Sequence, residues 1–141
     1  MLTYEQFNRL TAAFAAKDLP TVMSYFAADA VLIDPHYPQP RMAGRSAIER
    51  GLRWGLGKIE KSRFVLRRGV IDGDVGFFEV DTHHRFKGGL TAQFDQVFVV
   101  EMSKDKIIRL QAYVPYPPPG MAGLLLRITR WIWKCRGKNN V

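Results

Sequence analysis

The spacing of apolar residues changes once along this 141-residue chain, and that change constrains the fold more than any other feature. Up to about residue 60, apolar residues recur every three or four positions, as in amphipathic helices. Beyond that point they alternate with polar residues, as in strands with one buried face. Helices followed by a run of antiparallel strands predict an α+β domain whose helices pack on one side of a sheet.

Three helices are predicted before the long strands. Thr3 and Gln6 fit a capping box that starts the first helix. Asp18 can cap the second helix, since Pro20 is tolerated in a first helical turn. The third helix opens after Gly44.

One strand is predicted among the helices and four after them. The short apolar run from Asp29 to Asp34 predicts a strand, and Pro35 is expected to end it because proline lacks an amide donor. Turn residues rich in glycine and aspartate separate the later strands. These are predicted from Arg63 to Val70, Val75 to Phe86, Leu90 to Met102 and Ile107 to Val114.

The chain divides by composition into a body and a basic tail. We expect one domain over residues 1–115, then a Pro-rich linker and a basic amphipathic helix within 116–141. Five basic residues and no acidic residue follow Met121, whereas the 120 residues before it carry a net charge of +3. A nucleic-acid-binding domain would spread its basic charge over a face, so no nucleic-acid partner is expected. The basic charge of the tail instead predicts binding to an acidic surface or to anionic lipid.

Other classes of protein are disfavoured by what the sequence lacks. The single cysteine, Cys135, cannot form an internal disulfide, which favours a reducing compartment. No signal-peptide pattern or membrane-length apolar run is present, so a cytoplasmic location is expected, with membrane-peripheral attachment through the tail as the variant. No residue spacing predicts a metal site, and no cofactor is expected.

Three segments resemble the nuclear-transport-factor-2-like superfamily, which includes the ketosteroid isomerases and the SnoaL-like polyketide cyclases. They are FAAKDL at 14–19, FAADAVLIDP at 26–35 and GRSAI at 44–48. The resemblance covers roughly residues 3–115 and leaves the tail outside. It implies a cone-shaped curved sheet, antiparallel or mixed, wrapped around an apolar pocket with three N-terminal helices; the C-terminal amphipathic helix is additional. The fold hosts many chemistries, so the site must decide the function.

The ketosteroid isomerases provide expectations for single residues. Asp34 matches the general base that precedes a proline in that family. Asp95 matches the neutral aspartic acid that donates a hydrogen bond to the substrate oxygen. The family's tyrosines are matched by Leu10, Phe26 and Leu52, so the resemblance implies two carboxyl groups without the tyrosine network.

Each candidate catalytic residue also has a structural interpretation. Asp34 ends an apolar strand, where a partly desolvated carboxylate is a good proton acceptor, but it could instead cap the turn at Pro35. Asp95 lies in an apolar strand and could instead pair with Arg85 or Arg109. His84 is expected to point towards the predicted pocket, on the opposite side of the strand from its neighbour His83. There it could act as an acid or base, or it could be a hydrogen-bonded histidine of the core.

The sequence predicts an apolar cavity for a small hydrophobic ligand, and the reaction stays open. The expected lining residues are Phe14, Phe26, Leu52, Trp54, Leu110, Ala112 and Val114. One hypothesis is acid/base catalysis of an isomerase, cyclase or dehydratase type on a carbonyl compound, with Asp34 as base. The alternative is a non-catalytic binding module. The tail helix would pack on its own domain, on a second subunit of an expected homodimer, or on a membrane.

Overall fold

The described residues form four helices and six strands, and all but the short second strand follow the predicted order. The computed structural model describes residues 1–114 and 120–137. The elements are α1 (Tyr4–Ala15), α2 (Leu19–Ser24), β1 (Phe26–Ile33), β2 (Arg41–Ala43), α3 (Arg45–Lys58), β3 (Ile59–Asp72), β4 (Val75–Phe86), β5 (Thr91–Ser103), β6 (Lys106–Tyr113) and α4 (Met121–Cys135). The α+β class is confirmed. Of the Pro-rich linker predicted at residues 116–120, residues 116–119 lie outside the described residues.

The strands form one mixed, curved sheet in the order β2-β1-β6-β5-β4-β3. The long strands β3, β4 and β5 pair antiparallel, as does β5 with β6, whereas β1 pairs parallel with β6. The short strand β2 was not predicted. It pairs with β1 at the edge of the sheet, directly after Pro40, a position that suits a proline because its missing amide is not needed there.

Local hydrogen bonds fix the starts of the first two helices as expected. The Thr3 hydroxyl accepts from the Gln6 amide at 3.1 Å, and the Gln6 side chain accepts from the Thr3 amide at 2.9 Å. This completes the capping box. Asp18 accepts from the amide and hydroxyl of Thr21, and these hydrogen bonds lower the pKa of Asp18. Both helices are therefore anchored independently of the core.

The core lies between the helices and the concave face of the sheet. Phe7 of α1 stacks on Phe78 of β4, with ring centroids 3.9 Å apart and planes 7° from parallel. Phe78 is fully buried, and Tyr4 meets its ring edge-on at 5.9 Å. These aromatic contacts hold α1 against the middle of the sheet. They therefore fix the position of α1, which forms one side of the concave interior.

The pleat of β4 decides which side chains face inward. Phe78 and Val80 are fully buried on the concave side, and His84 continues that face. His83 points to the outer side, where its Nε2 lies 3.1 Å from an Asp81 carboxylate oxygen. The predicted separation of the two histidines is confirmed.

Helix α4 contacts α3 and contributes residues to the concave side. Trp133 lies edge-on to Trp54 of α3, with centroids 6.0 Å apart. In residues 1–114 and 120–137, no helix is both long and apolar enough to cross a bilayer. The tail helix thus contacts its own domain, one of the alternatives that the sequence left open.

Candidate functional site

A cavity of about 700 Å³ lies between α1, α3, α4 and the concave face of the sheet. Its wall is mainly apolar and aromatic. The apolar lining consists of Phe7, Leu10, Phe14, Leu32, Leu52, Trp54, Leu56, Ile59, Phe64, Phe86, Leu90, Ala92, Phe94, Phe98, Leu110, Ala122, Leu125 and Leu126. Among the described residues, ten polar side chains interrupt it: Thr11, Asp34, His36, Tyr37, Lys58, Ser62, His84, Lys87, Gln96 and Thr129. A mainly apolar wall with a minority of polar groups is typical of sites that bind small molecules.

Asp34 and His36 form a hydrogen-bonded pair at the carboxyl end of β1. The strand stops before Pro35, and the Asp34 amide donates to the Pro40 carbonyl at 2.8 Å, which closes the loop. One Asp34 carboxylate oxygen accepts from the His36 amide at 2.8 Å and lies 3.1 Å from His36 Nδ1. Both interpretations of Asp34 therefore hold at once, since the carboxylate caps the turn and also orients an imidazole.

The orientation of His36 leaves its other nitrogen without a hydrogen bond from the described residues. A proton on Nδ1 is directed at Asp34, so the neutral ring keeps a lone pair on Nε2. Nε2 is buried and has no hydrogen-bond partner among the described residues. The ring packs on Phe94 of β5, with centroids 4.6 Å apart, which holds it in place. An oriented imidazole with an unsatisfied buried acceptor is suited to receive a proton or a hydrogen bond.

His84 faces the same cavity from β4. Its Nδ1 lies 2.7 Å from the Ser62 hydroxyl, and the rings of Phe64, Phe86 and Phe94 surround it at 5.7 to 5.9 Å. Burial lowers the pKa of His84 to about 4, and the neighbouring His36 acts in the same direction, while Asp34 opposes it. His84 is therefore neutral near pH 7 and can donate or accept one hydrogen bond, according to its tautomer.

Tyr37 and Gln96 line the cavity and were missed from the sequence. Burial, together with the Asp34 charge, raises the pKa of the Tyr37 phenol, which therefore remains a neutral donor. Gly55 of α3 makes room for its ring, since a Cβ there would lie 2.7 Å from Tyr37 Cε1. Gln96 donates to the Thr82 hydroxyl at 2.7 Å, and its Oε1 is buried without a partner among the described residues. A sequence signal for Gln96 existed, because it alternates with the inward-facing Phe94.

The structure does not bring Asp95 to this cavity, which corrects the expectation drawn from the resemblance. Its side chain is 62% exposed on the outer side of β5, because Phe94 and Gln96 on either side of it face inward. Arg67 lies 3.8 Å from its carboxylate and also binds Asp81 at 3.1 Å. Asp95 therefore forms an ion pair, as the structural interpretation predicted, but its partner is Arg67.

The two partners suggested for Asp95 are engaged elsewhere. Arg85 lies 3.2 Å from Glu60, and Arg109 binds Glu101. Neither arginine is therefore the ionic partner of Asp95.

The expected apolar lining is partly found. Phe14, Leu52, Trp54 and Leu110 line the cavity, but three further expected residues, Phe26, Ala112 and Val114, are not among the lining residues. Phe26 is buried at the start of β1, at the opposite end from Asp34. Ala112 is buried with a short side chain, and Val114 follows the end of β6. Alternation in the sequence predicts which face of a strand a residue lies on, but not how far along the strand the cavity extends. These three residues lie beyond its extent.

The matched sequence family agrees with this architecture. Residues 7–110 match the family model described as the SnoaL-like domain. The chain belongs to the SnoaL-like domain family. No curated protein sequence matches it. This SnoaL-like chain carries no group of three or more His, Cys, Asp or Glu side chains that could hold a metal ion, within the part that the structure describes.

Solved structures share the fold of this SnoaL-like chain at low sequence identity. A Catenulispora acidiphila DSM 44928 protein with a ketosteroid isomerase-like fold, in complex with trimethylamine, has 20% identity and a TM-score of 0.71, covering 82% of this chain and 89% of that one. An NTF2-like protein of unknown function from Burkholderia pseudomallei K96243 has 16% identity and a TM-score of 0.71, covering 92% and 98%. A Mycobacterium tuberculosis protein, in complex with estradiol-17β-hemisuccinate, has 18% identity and a TM-score of 0.66, covering 74% and 86%. These likenesses confirm the predicted fold.

Proposed function

We propose that this protein binds a small hydrophobic carbonyl compound in the cavity and catalyses a proton transfer on it, with the Asp34–His36 pair as the base. One observation carries the proposal: Asp34 and His36 both line the cavity, and the Asp34 carboxylate lies 3.1 Å from His36 Nδ1, so that it orients the imidazole beside the ligand space. Asp34, matched to the family's base, would here act through the imidazole that it orients.

The proposed step is an enolisation followed by return of the proton. His36 Nε2 takes a proton from the carbon beside the carbonyl group, the C–H electron pair forms a carbon–carbon double bond, and the carbonyl oxygen gains the negative charge. The Asp34 carboxylate, 3.1 Å from Nδ1, stabilises the imidazolium. Where the substrate has a β,γ carbon–carbon double bond, return of the proton to the γ carbon moves that bond into conjugation with the carbonyl group, an isomerisation that consumes no other reactant.

Neutral donors near the pair support the stabilisation of the enolate oxygen. Tyr37 and His84 both line the cavity, and both are uncharged near pH 7 because burial disfavours their charged forms. A preorganised hydrogen-bond donor is most effective in an apolar, water-poor site. We therefore assign the role of oxygen-binding donor to Tyr37 or His84, and none to Asp95.

The size and wall of the cavity favour a polycyclic ligand. A volume of about 700 Å³ falls within the range of roughly 300–1,000 Å³ usual for small-molecule sites. The Mycobacterium tuberculosis protein of the same fold binds a steroid ester, estradiol-17β-hemisuccinate. A steroid-sized or fused-ring ketone is the ligand class that we propose for this chain.

A binding module without catalysis is the second candidate, favoured by a specific feature of the wall. Leu10 and Leu52 stand where the resemblance to the ketosteroid isomerases implies tyrosines, and both contribute hydrocarbon to the cavity. Such a wall retains an apolar ligand without contributing to catalysis.

Proton exchange separates the two candidates. The exchange of α-hydrogens of 2-tetralone in D2O, followed by NMR, is expected to be accelerated by the wild-type protein. Asp34→Asn and His36→Gln should each reduce the acceleration about 10²- to 10⁴-fold, the usual contribution of a general base. His83→Gln is the matched control, because His83 lies outside the cavity.

The binding of estradiol-17β-hemisuccinate, measured by tryptophan fluorescence, accompanies each exchange assay. Binding without any exchange in the wild-type protein would favour the binding module. Unchanged exchange in both Asp34→Asn and His36→Gln would remove the pair from the mechanism.

A further inference from the structure

Helix α4 presents three faces of different chemistry. The first face consists of Ala122, Leu126 and Thr129, which line the cavity, and Trp133, which packs on Trp54; Leu125, at the border of this face, also reaches the cavity although it is partly exposed. These residues recur at intervals of three or four, so they lie along one side of the helix. This side is already occupied by the protein's own domain.

The second face is apolar and exposed. Its residues, which we call the outer stripe, are Met121, Leu124, Leu125, Ile128, Trp131 and Ile132, with exposed fractions of 62%, 50%, 47%, 45%, 67% and 38%. At 100° per residue, they cover a sector of about 120°. A continuous apolar surface of this kind is rare on a soluble monomer and indicates an interaction site.

The third face is basic and borders the outer stripe. Arg127, Arg130 and Lys134 lie along it, and Arg136 follows at the C-terminal end. No acidic residue occurs after Met121 to neutralise them. A second copy of the chain would be a poor occupant for the stripe, because its tail is equally basic and its first 120 residues also carry a net charge of +3. Charge complementarity therefore requires an acidic surface.

We propose that α4 docks this protein on the interface of anionic phospholipid bilayers. The outer stripe lies among the upper acyl chains, with Arg127 and Lys134 at the level of the lipid phosphates. Trp131, the most exposed residue of the stripe, has the amphipathic ring that favours the headgroup region. A helix with an apolar stripe and a basic edge, too short to span, lies in the plane of the interface.

Docking in this orientation places the cavity next to the bilayer. The opposite side of the same helix forms part of the cavity wall, so the cavity and the membrane are separated by the width of one helix. Hydrophobic ligands concentrate in bilayers, and the protein would meet its ligand there. The inference holds whether the cavity catalyses a reaction or only binds.

Flotation with vesicles tests the proposal on the full-length chain. We expect binding to phosphatidylcholine vesicles containing 30 mol% phosphatidylserine, and at least tenfold weaker binding to phosphatidylcholine alone or in 0.5 M KCl. Arg127→Gln with Lys134→Gln should weaken binding roughly 30-fold, from about 1 kcal/mol per basic residue at such a surface. Leu124→Gln with Ile128→Gln should weaken it at least about tenfold through the lost apolar contact.

The control variant is Phe77→Gln, which alters an exposed apolar residue on the outer side of the sheet. It should leave vesicle binding unchanged. Thermal denaturation of each variant confirms that the fold is intact. Equal binding of the wild type and both double variants would overturn the proposal. So would a lipid-free dimer that sedimentation detects in the wild type and that Leu124→Gln with Ile128→Gln dissociates, because a second copy would then cover the stripe.

Discussion

Replacing Phe78 with alanine is expected to lower the free energy of unfolding by about 3–5 kcal/mol, the usual cost of removing a fully buried aromatic ring. Phe78 has no exposed surface, stacks on Phe7 at 3.9 Å and receives the edge of Tyr4. Its loss would leave a cavity under α1, the helix that supplies one wall of the ligand site. Urea denaturation at pH 7 measures the change.

Phe77→Ala is the control for that substitution, on the same strand and with the same change of side chain. Phe77 is 49% exposed on the opposite side of the sheet, and its replacement should cost less than about 1 kcal/mol. Equal losses for the two variants would mean that the register of β4, and with it the inward direction of His84, is wrong.

His84 is expected to make the folded protein less stable in acid. Its pKa is about 4 in the folded state, mainly because burial disfavours the charged ring, compared with 6.5 for an unperturbed histidine. Between these values the unfolded chain binds a proton that the folded protein does not. Stability therefore falls as the pH drops from 6.5 towards 4, and this residue causes no further loss of stability below 4. At about 1.4 kcal/mol per pKa unit, the full effect is up to about 3 kcal/mol.

Denaturation of the wild type and His84→Gln at pH 7.0 and 4.5 isolates this contribution. Other groups also titrate over this range, so the informative quantity is the difference between the two proteins in their loss of stability. The wild type should lose more than His84→Gln, because glutamine has no proton to bind. A His83→Gln variant should retain the additional loss. Identical losses in the wild type and His84→Gln would contradict the burial of this ring in the cavity.

Local chemistry made the helices and long strands predictable. The capping box at Thr3 and the aspartate cap at Asp18 require no distant partner, and alternation in β4 and β5 reports a sheet with one buried face. The parallel pairing of β1 with β6 joins segments about 80 residues apart, and nothing in either segment encodes it locally. The three-residue strand β2 was missed because it is formed mainly by its pairing with β1.

The members of the candidate site that could be predicted are those whose orientation follows from their position in the sequence. Asp34 could be placed because Pro35 ends its strand, and His84 because β4 alternates. Asp95 was assigned from the family resemblance, and its own neighbours contradict that assignment, since Phe94 and Gln96 occupy the inward positions. Adjacency in a strand is decisive here, because a shift of one residue reverses the direction of the side chain.

The part of the site that depends on ring orientation was beyond sequence reasoning. His36 follows Asp34 closely enough to pair with it, but a hydrogen bond through Nδ1 that leaves Nε2 buried depends on the loop closed by Pro40 and on the contact with Phe94. Tyr37 likewise depends on the space left by Gly55 on another element. Such features arise from packing between segments distant in sequence.

The spectra of the three histidine rings test the proposed site most directly. Long-range ¹H–¹⁵N correlations are recorded without ligand and with saturating estradiol-17β-hemisuccinate, with assignments from single His→Gln variants. We expect the ring signals of His36 and His84 to shift on binding, while those of His83, which lies beside Asp81 on the outer side of the sheet, remain in place. Saturated binding that shifts His83 and leaves His36 and His84 unchanged would contradict a ligand site in this cavity.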